Sequence, residues 1–351
     1  MSEEYKLFEK TLEKEFKGHM RGNVDNPKGV GCGSYRTDMA LTEAFPLGYM
    51  HEVFAQNGVG KTTFALEVLG QHQKNGGLVA YFDVEGSLNN SLLDSIQTLD
   101  VDKKDKDGSP LWIYKEAIIE DAEDPDMRRE MTGEECLNYV SLFISTFKNS
   151  FIVVDSVDAI VPEAILIGKD IGESTIGKHA KLMSDACRRF KSILKKNNNG
   201  LIWINQVRDN PGKMFGDKEV TPGGHAIKFY SCQRIKLSRN EGKDNFDRDE
   251  NGNILGHLVN MKVVKNKLPT TNYNPYFWIK YGSGIDRARE LSELAIELGI
   301  VECDGRSYYF NKGAANELKI VGAEKANSYI RNNPTVLQEI EKKVLTLIKS
   351  K

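Results

Sequence analysis

One short run constrains this chain more than any other. Ala55-Gln56-Asn57-Gly58-Val59-Gly60-Lys61-Thr62-Thr63 stands directly after the β-prone MHEVF and directly before a helical pattern. Glycines at 58 and 60 let the backbone close tightly, so that bare N–H groups and the start of the next helix face one point. Such a point attracts an anion, and the flanking residues suit phosphates: Lys61 reaches the β/γ oxygens and the Thr62 hydroxyl can ligate Mg²⁺. The first position of the usual pattern, normally glycine, is Ala55. The tight turn depends more on Gly58 and Gly60, so this weakens the pattern only mildly.

The surrounding pattern agrees with a strand–loop–helix unit. Near-continuous apolar runs, LVAYFDV at 78–84, FIVVDSV at 151–157 and LIWIN at 201–205, read as strands covered on both faces. Helical patterns alternate with them, which predicts an α/β core around a mostly parallel sheet. Ile176, Ala180, Met183, Cys187, Phe190 and Leu194 recur at helical spacing and predict an amphipathic helix with a basic outer face. Residues 1–40 read as a charged helix, with Phe8, Leu12 and Phe16 four apart, on a glycine-rich tether. The acidic stretch between Lys115 and Cys136 reads as a solvated loop and helix start, and the chain after Gly284 as a small, largely helical domain.

Charge narrows the function classes. Lysine and arginine (48) nearly balance aspartate and glutamate (50), so a nucleic-acid partner requires local positive charge. That charge appears from Arg306 onward, where lysine and arginine outnumber glutamate nine to four. Five scattered cysteines without a C-x-x-C pair indicate neither a disulfide framework nor a zinc site. No apolar run is long enough for a membrane span and MSEEYKLFEK lacks the core of a signal peptide, so the expectation is a cytoplasmic protein with no membrane partner.

Strand-end polar groups complete the phosphate site. Asp155 closes FIVVD and can hold a Mg²⁺ shell through water. Glu85 follows YFDV and can orient or deprotonate an attacking water, and Gln206 after LIWIN can contact a γ-phosphate. A hydrolytic NTPase is the expectation.

Chain order then becomes specific: phosphate loop, Glu85, Asp155, INQVR at 204–208, a flexible stretch ending TPGG, and HAIKFYSCQRIKLSR. MKVVKNK at 261–267, YGSGID at 281–286 and NNPTVLQEIEKKV follow. This order closely resembles the bacterial RecA recombinases from about residue 50 to 350, more weakly before. The resemblance implies an ATPase core at 41–284 with DNA-binding loops, an N-terminal helix-strand polymerisation arm at 1–40 and a small basic α+β domain at 285–351. It also implies ATP and Mg²⁺ at Gln56 to Thr63 and Asp155, Glu85 as catalytic base, and Gln206 as γ-phosphate sensor. Lys265 and Lys267 would reach a neighbouring subunit's γ-phosphate, and Tyr281 would pack near adenine across that boundary. The family's other adenine-stacking tyrosine has no clear counterpart between Leu88 and Leu93.

For DNA, the resemblance implies a first loop at 167–176 with Ile176 between base steps, and a second at 207–224 containing Arg208, Met214 and Phe215. Ser184, Arg188 and the amides of Gly223 and Gly224 match phosphate contacts, and Phe229 matches a subunit-junction residue. Departures accompany these matches. Pro211 takes the place of an apolar wedge, His225 replaces an asparagine after the paired glycines, and Ser238 and Asn260 replace arginines of a second DNA site in which Arg239 and Lys262 remain. The chain ends at Lys351 without the acidic tail of many bacterial members, so easier nucleation on duplex DNA is expected. Implied partners are single-stranded DNA, homologous duplex DNA, further copies of the chain in a helical filament, and a single-strand-binding protein or loader. A RecA-like coating or mediator protein with little strand exchange is the alternative. A hexameric helicase fits worse, given TPGG, KNK and the small C-terminal domain. Chromosomal, plasmid and phage origins stay open.

Overall fold

The computed structural model describes residues 3–16, 29–41, 44–120, 128–166, 177–209, 219–268 and 274–349. Its centre is a ten-stranded sheet. In chain order the strands are β1 (Met50–Ala55), β2 (Val79–Asp83), β3 (Trp112–Glu116), β4 (Phe151–Asp155), β5 (Gly200–Gln206), β6 (Gln233–Ser238), β7 (Phe246–Arg248), β8 (Ile254–Asn266), β9 (Tyr276–Lys280) and β10 (Gly284–Ile285). Their spatial order is β10-β9-β8-β6-β1-β5-β4-β2-β3, with β7 on β8. From β3 to β6 every pairing is parallel, and from β6 to β10 every pairing is antiparallel. The sheet is therefore mostly parallel where the strands alternate with helices, as the sequence predicts.

Alternation along each strand explains the apolar runs. Val79 and Tyr81 point into one cluster with Phe64, Val68 and Leu69 of helix α1 (Lys61–Lys74). Ala80 and Phe82 point into the opposite cluster. There they meet Val140 of α2 (Gly133–Thr146) and Met183, Cys187 and Phe190 of α3 (Lys178–Asn197). With helices on both faces successive side chains of a strand are both buried, so most are apolar, and Phe151, Ile152, Val153 and Val154 are all fully buried. The amphipathic helix falls where its spacing puts it, with Met183, Cys187, Phe190 and Leu194 inside.

The acidic stretch carries more order than a solvated loop. Ile118–Glu120 pairs antiparallel with Arg128–Glu130, and Thr132 then starts α2 with a capping box closed by Glu135. Arg129 grips the Glu135 carboxylate at 2.6 and 2.8 Å, offsetting local acidity that would otherwise oppose pairing. Strand β3 also escapes an apolar-run search, because as an edge strand it is only half-buried and carries Lys115 and Glu116.

The N-terminal helix spans Glu3–Phe16 with Phe8 exposed. Helix α4 (Gly224–Tyr230) buries Ile227 in the second cluster, beside α3. A third cluster, built from Leu291, Leu294, Tyr308, Phe310, Ile330 and Val344, goes with a separate three-stranded antiparallel sheet, Glu302–Asp304, Ser307–Phe310 and Leu318–Val321. Helices Arg287–Glu297, Ala323–Asn332 and Pro334–Lys349 surround that small sheet. It is tied to the core by buried Glu290, whose carboxylate accepts from the Ser34 hydroxyl (2.8 Å) and the amides of Tyr35 (3.1 Å) and Arg36 (2.9 Å). Arg36 in turn pairs with Glu297 at 2.6 Å.

Candidate nucleotide and nucleic-acid site

Parallel strands deliver their carboxyl ends to one edge, and the predicted phosphate loop sits there at the end of β1. Gly58 and Gly60 have φ of 72° and 110°, a region closed to most side chains. A Cβ on Gly60 would lie 2.3 Å from Ile279 Cδ1, while one on Gly58 would meet nothing within 4 Å. Gly60 thus lets the loop lie against β9, and Gly58 leaves its outer side open. Helix α1 begins at once, without a side-chain cap and without an acidic residue in its first turn. Its first N–H groups keep their capacity for an anion, so the residues present fit a phosphate chain.

The polar groups converge on that loop. Lys61 Nζ donates to the Gln56 carbonyl at 3.1 Å, bridging the loop's mouth. Burial pulls its ammonium below the usual lysine range, with Asp155 and Glu85 opposing. Thr62 Oγ1 donates to Asp155 Oδ2 at 2.9 Å, and the Tyr81 hydroxyl donates to the same oxygen at 2.5 Å. Burial raises the Asp155 carboxyl, and those two hydrogen bonds pull it back. This hydroxyl–carboxylate pair is the donor set that a Mg²⁺ shell needs. Glu85 is exposed at the same edge, its amide donating to the Asp155 carbonyl at 3.1 Å. Gln206 stands opposite Ala55 in the β1–β5 register.

Several positioning residues were not singled out from sequence. Asp83, buried, accepts from the amides of Gly86 (2.8 Å) and Leu88 (2.9 Å) and so shapes the loop that carries Glu85. Asn205 donates to Glu52 (3.0 Å) and to the Pro222 carbonyl (3.0 Å), connecting β1, β5 and the end of the predicted second DNA loop. Glu52 also pairs with Arg234. Their signal was present in the sequence: Glu52, Asp83 and Asn205 are polar residues inside apolar strands, which burial makes costly unless they are paired. Tyr281 and Thr63 line one cleft of about 260 Å³ together with Asn89 and Leu92. Within a single chain, and not only across a subunit boundary as the resemblance implies, Tyr281 therefore flanks its own phosphate loop, and aliphatic Leu92 lines the same cleft.

The implied DNA residues lie on neighbouring surfaces. Ser184 and exposed Arg188 ride on the outer part of α3. Gly223 and Gly224, at φ of 87° and 70°, turn the chain into α4, and a Cβ on Gly224 would lie 2.9 Å from Ala180 Cβ of α3. His225 is exposed. Arg208 is paired with Asp158. Ile176, Met214, Phe215 and Pro211 lie outside the described residues. Phe229 is 69 % exposed at the end of α4, where Lys265 donates to the Lys228 (2.6 Å) and Phe229 (2.8 Å) carbonyls and Lys267 lies over the Phe229 ring.

On the antiparallel side, Ser238 and Asn260 are direct cross-strand partners, so the two missing cations leave one neutral pair. Two residues along, Lys236 faces exposed Lys262 on the same side of the sheet. Arg239 does not extend freely outward: it donates to the Gly58 carbonyl at 3.3 Å and to Glu241 at 3.4 Å. No described helix is long and apolar enough to cross a membrane.

Comparison with known proteins agrees with this geometry. The RecA N-terminal domain family matches residues 8–286. The chain is 35 % identical over 342 residues to protein RecA of Thermus aquaticus, covering 96 % of this chain and 92 % of that protein. It is 32 % identical over 346 residues to protein RecA of Acholeplasma laidlawii, covering 97 % and 95 %. Against protein RecA of Aquifex pyrophilus it is 35 % identical over 316 residues, covering 90 % and 82 %. With the phosphate loop, Asp155, Glu85 and Gln206 gathered at one sheet edge and relatives matching nearly end to end, the chain belongs to the RecA family of recombinases.

Proposed function

We propose that the protein is a DNA-dependent ATPase that polymerises on single-stranded DNA, pairs it with a homologous duplex and exchanges strands. The observation that carries this reading is the convergence of Lys61, Thr62, Asp155 and Glu85 at the end of the parallel sheet, one strand away from a second loop held by Asn205.

In this reading the loop amides and Lys61 bind the phosphates of ATP. Thr62 and Asp155 hold Mg²⁺, which when bound neutralises charge developing on the transferred phosphoryl group. Glu85, exposed on a loop tied to the Asp155 carbonyl, holds the attacking water and takes its proton. Gln206 faces the loop from β5 and Asn205 is bonded to Pro222, so a movement at the γ-phosphate reaches the second DNA loop through adjacent residues. Lys265 and Lys267, at the far end of α4, supply cations to a neighbouring copy's site, making hydrolysis depend on the filament. Arg188 and the glycine amides grip phosphates without reading sequence. The core at 41–284, the arm at 1–40 and the basic domain at 285–351 divide these tasks. The site of action is the bacterial cytoplasm, with a single-strand-binding protein or loader as a further partner.

A second reading, a filament that coats DNA with little exchange, draws on the neutral Ser238–Asn260 pair. The test is ATP-dependent strand exchange between a circular single strand and a homologous linear duplex, beside ATPase with and without single-stranded DNA and with Lys61→Ala. Homology-dependent joint molecules, lost in Lys61→Ala, are the expected outcome. DNA-stimulated hydrolysis without joint molecules overturns the recombinase reading in favour of coating.

A further inference from the structure

His257 is a buried polar residue in the otherwise apolar run ILGHLV of β8, and the strand pairing places it opposite Ile279, the residue against which Gly60 lies. Its two ring nitrogens both have partners. Nε2 lies 3.1 Å from the Val59 carbonyl oxygen, and Nδ1 lies 3.2 Å from the Tyr281 hydroxyl. A carbonyl can only accept, so Nε2 carries the proton; Nδ1 of the neutral ring then accepts from Tyr281. Burial, helped by the nearby Arg239 charge, holds the ring below the usual histidine range and so favours this neutral form.

The contact with Val59 has a directional consequence. In a planar trans peptide the C=O and the next N–H point in opposite directions. A donor on the outer side that holds the Val59 oxygen therefore turns the Gly60 N–H to the inner side, where phosphates bind. Arg239 makes the same kind of contact one residue earlier, to the Gly58 carbonyl. Two successive peptide planes of the loop are thus held from the antiparallel half of the sheet. Tyr281, at the other end of the imidazole, lines the cleft beside Thr63.

We propose that His257 is a positioning residue of the nucleotide site, holding the Val59–Gly60 peptide in its phosphate-binding orientation and locking it to Tyr281, so that phosphate loop and base wall move as one unit. This rests on the reading of residues 56–63 as an ATP site. It assigns a role in nucleotide affinity to a residue that touches neither the reacting atoms nor DNA.

Amide substitutions separate the two contacts, since a Gln amide reaches the Nε2 position and an Asn amide only the Nδ1 position. The full-length protein is assayed for ATP hydrolysis on single-stranded DNA and for equilibrium ATP binding, as wild type, His257→Gln, His257→Asn, His257→Phe and Tyr281→Phe. His257→Phe is expected to raise the KM for ATP about tenfold with kcat within about threefold, the loss of one well-placed hydrogen bond. His257→Gln recovers most of that KM and His257→Asn does not. Combining His257→Phe with Tyr281→Phe adds nothing beyond His257→Phe, because the two act as one unit. Equal KM values for the Gln and Asn variants, or parallel losses of KM and kcat with melting temperature, overturn the proposal, and this contrast survives if the Phe variant fails to fold. A wild-type protein that hydrolyses ATP while Gln and Asn behave alike overturns only this inference. A wild-type protein that does not bind ATP overturns the nucleotide reading along with it.

Discussion

Glu85 is exposed and carries no ion pair among the described residues, yet its position is tightly specified. Its amide and that of Val84 both donate to the Asp155 carbonyl, and Asp83 gathers the amides that follow. In the proposed mechanism Glu85 acts on water and not on binding, so Glu85→Gln should lower kcat by about 10²–10⁴-fold and leave ATP affinity near wild type, as hydrolysis and equilibrium binding on the same preparation will show. A second residue-scale consequence concerns Glu290. Full burial raises its carboxyl from 4.5 to about 7 against the pull of its three hydrogen-bond donors, and burial raises Asp38 to about 6. Between the ordinary carboxylate range and pH 7 the folded protein therefore binds more protons than the unfolded chain, so this contribution to stability is present at low pH and lost as pH rises. Unfolding free energies measured by urea titration from pH 5 to 8 should show that fall, on the order of 4 kcal/mol for the two groups together. Glu290→Gln should flatten it; an unchanged slope would mean that other groups set the dependence.

At the scale of elements, the β6–β8 ladder decides what replaces the two absent cations. Lys236 and Lys262 stand directly opposite each other, so a polyanion laid along that face would meet both cations. Lys236→Ala should therefore weaken duplex DNA binding and reduce the slope of log K against log salt by about 1, with single-strand binding little changed. A slope equal to wild type would remove Lys236 from the duplex surface. The ladder was hard to read beforehand. Lys236 and Lys262 belong to separate runs of sequence, and only antiparallel register brings them together, whereas Lys61 and Thr62 are adjacent in the chain and needed no register to be found.

For the whole molecule, Lys265 is occupied within its own chain, on the carbonyls that close α4. If these lysines serve a neighbour's nucleotide, the single chain and the filament must differ at this junction, and hydrolysis must be cooperative in protein concentration. Lys265→Ala with Lys267→Ala should retain ATP binding by the isolated chain while DNA-stimulated hydrolysis falls about 10²-fold or more, the scale of a cation supplied in trans. Equal loss of binding and hydrolysis would place both lysines in a purely structural role.

What the amino-acid order determined unaided was local and strongly periodic; edge strand β3 and the pairing of Ile118–Glu120 with Arg128–Glu130, though local, carry no such pattern. The phosphate loop, its strand and helix, the apolar parallel strands and the face of α3 each need only neighbours in sequence, because a 2- or 3.6-residue period and a glycine-bearing turn are properties of a short segment. After Gly284 the helical pattern matches the helices Arg287–Glu297, Ala323–Asn332 and Pro334–Lys349, while the short three-stranded sheet among them is not legible in that pattern. Tertiary structure alone decided the long-range pairings: Ser238 against Asn260, Lys236 against Lys262, Asn205 on Glu52 and Pro222, and His257 between Val59 and Tyr281. These depend on strand register and on burial, which pair groups far apart in the chain and make an isolated polar side chain find a partner that its own segment does not contain.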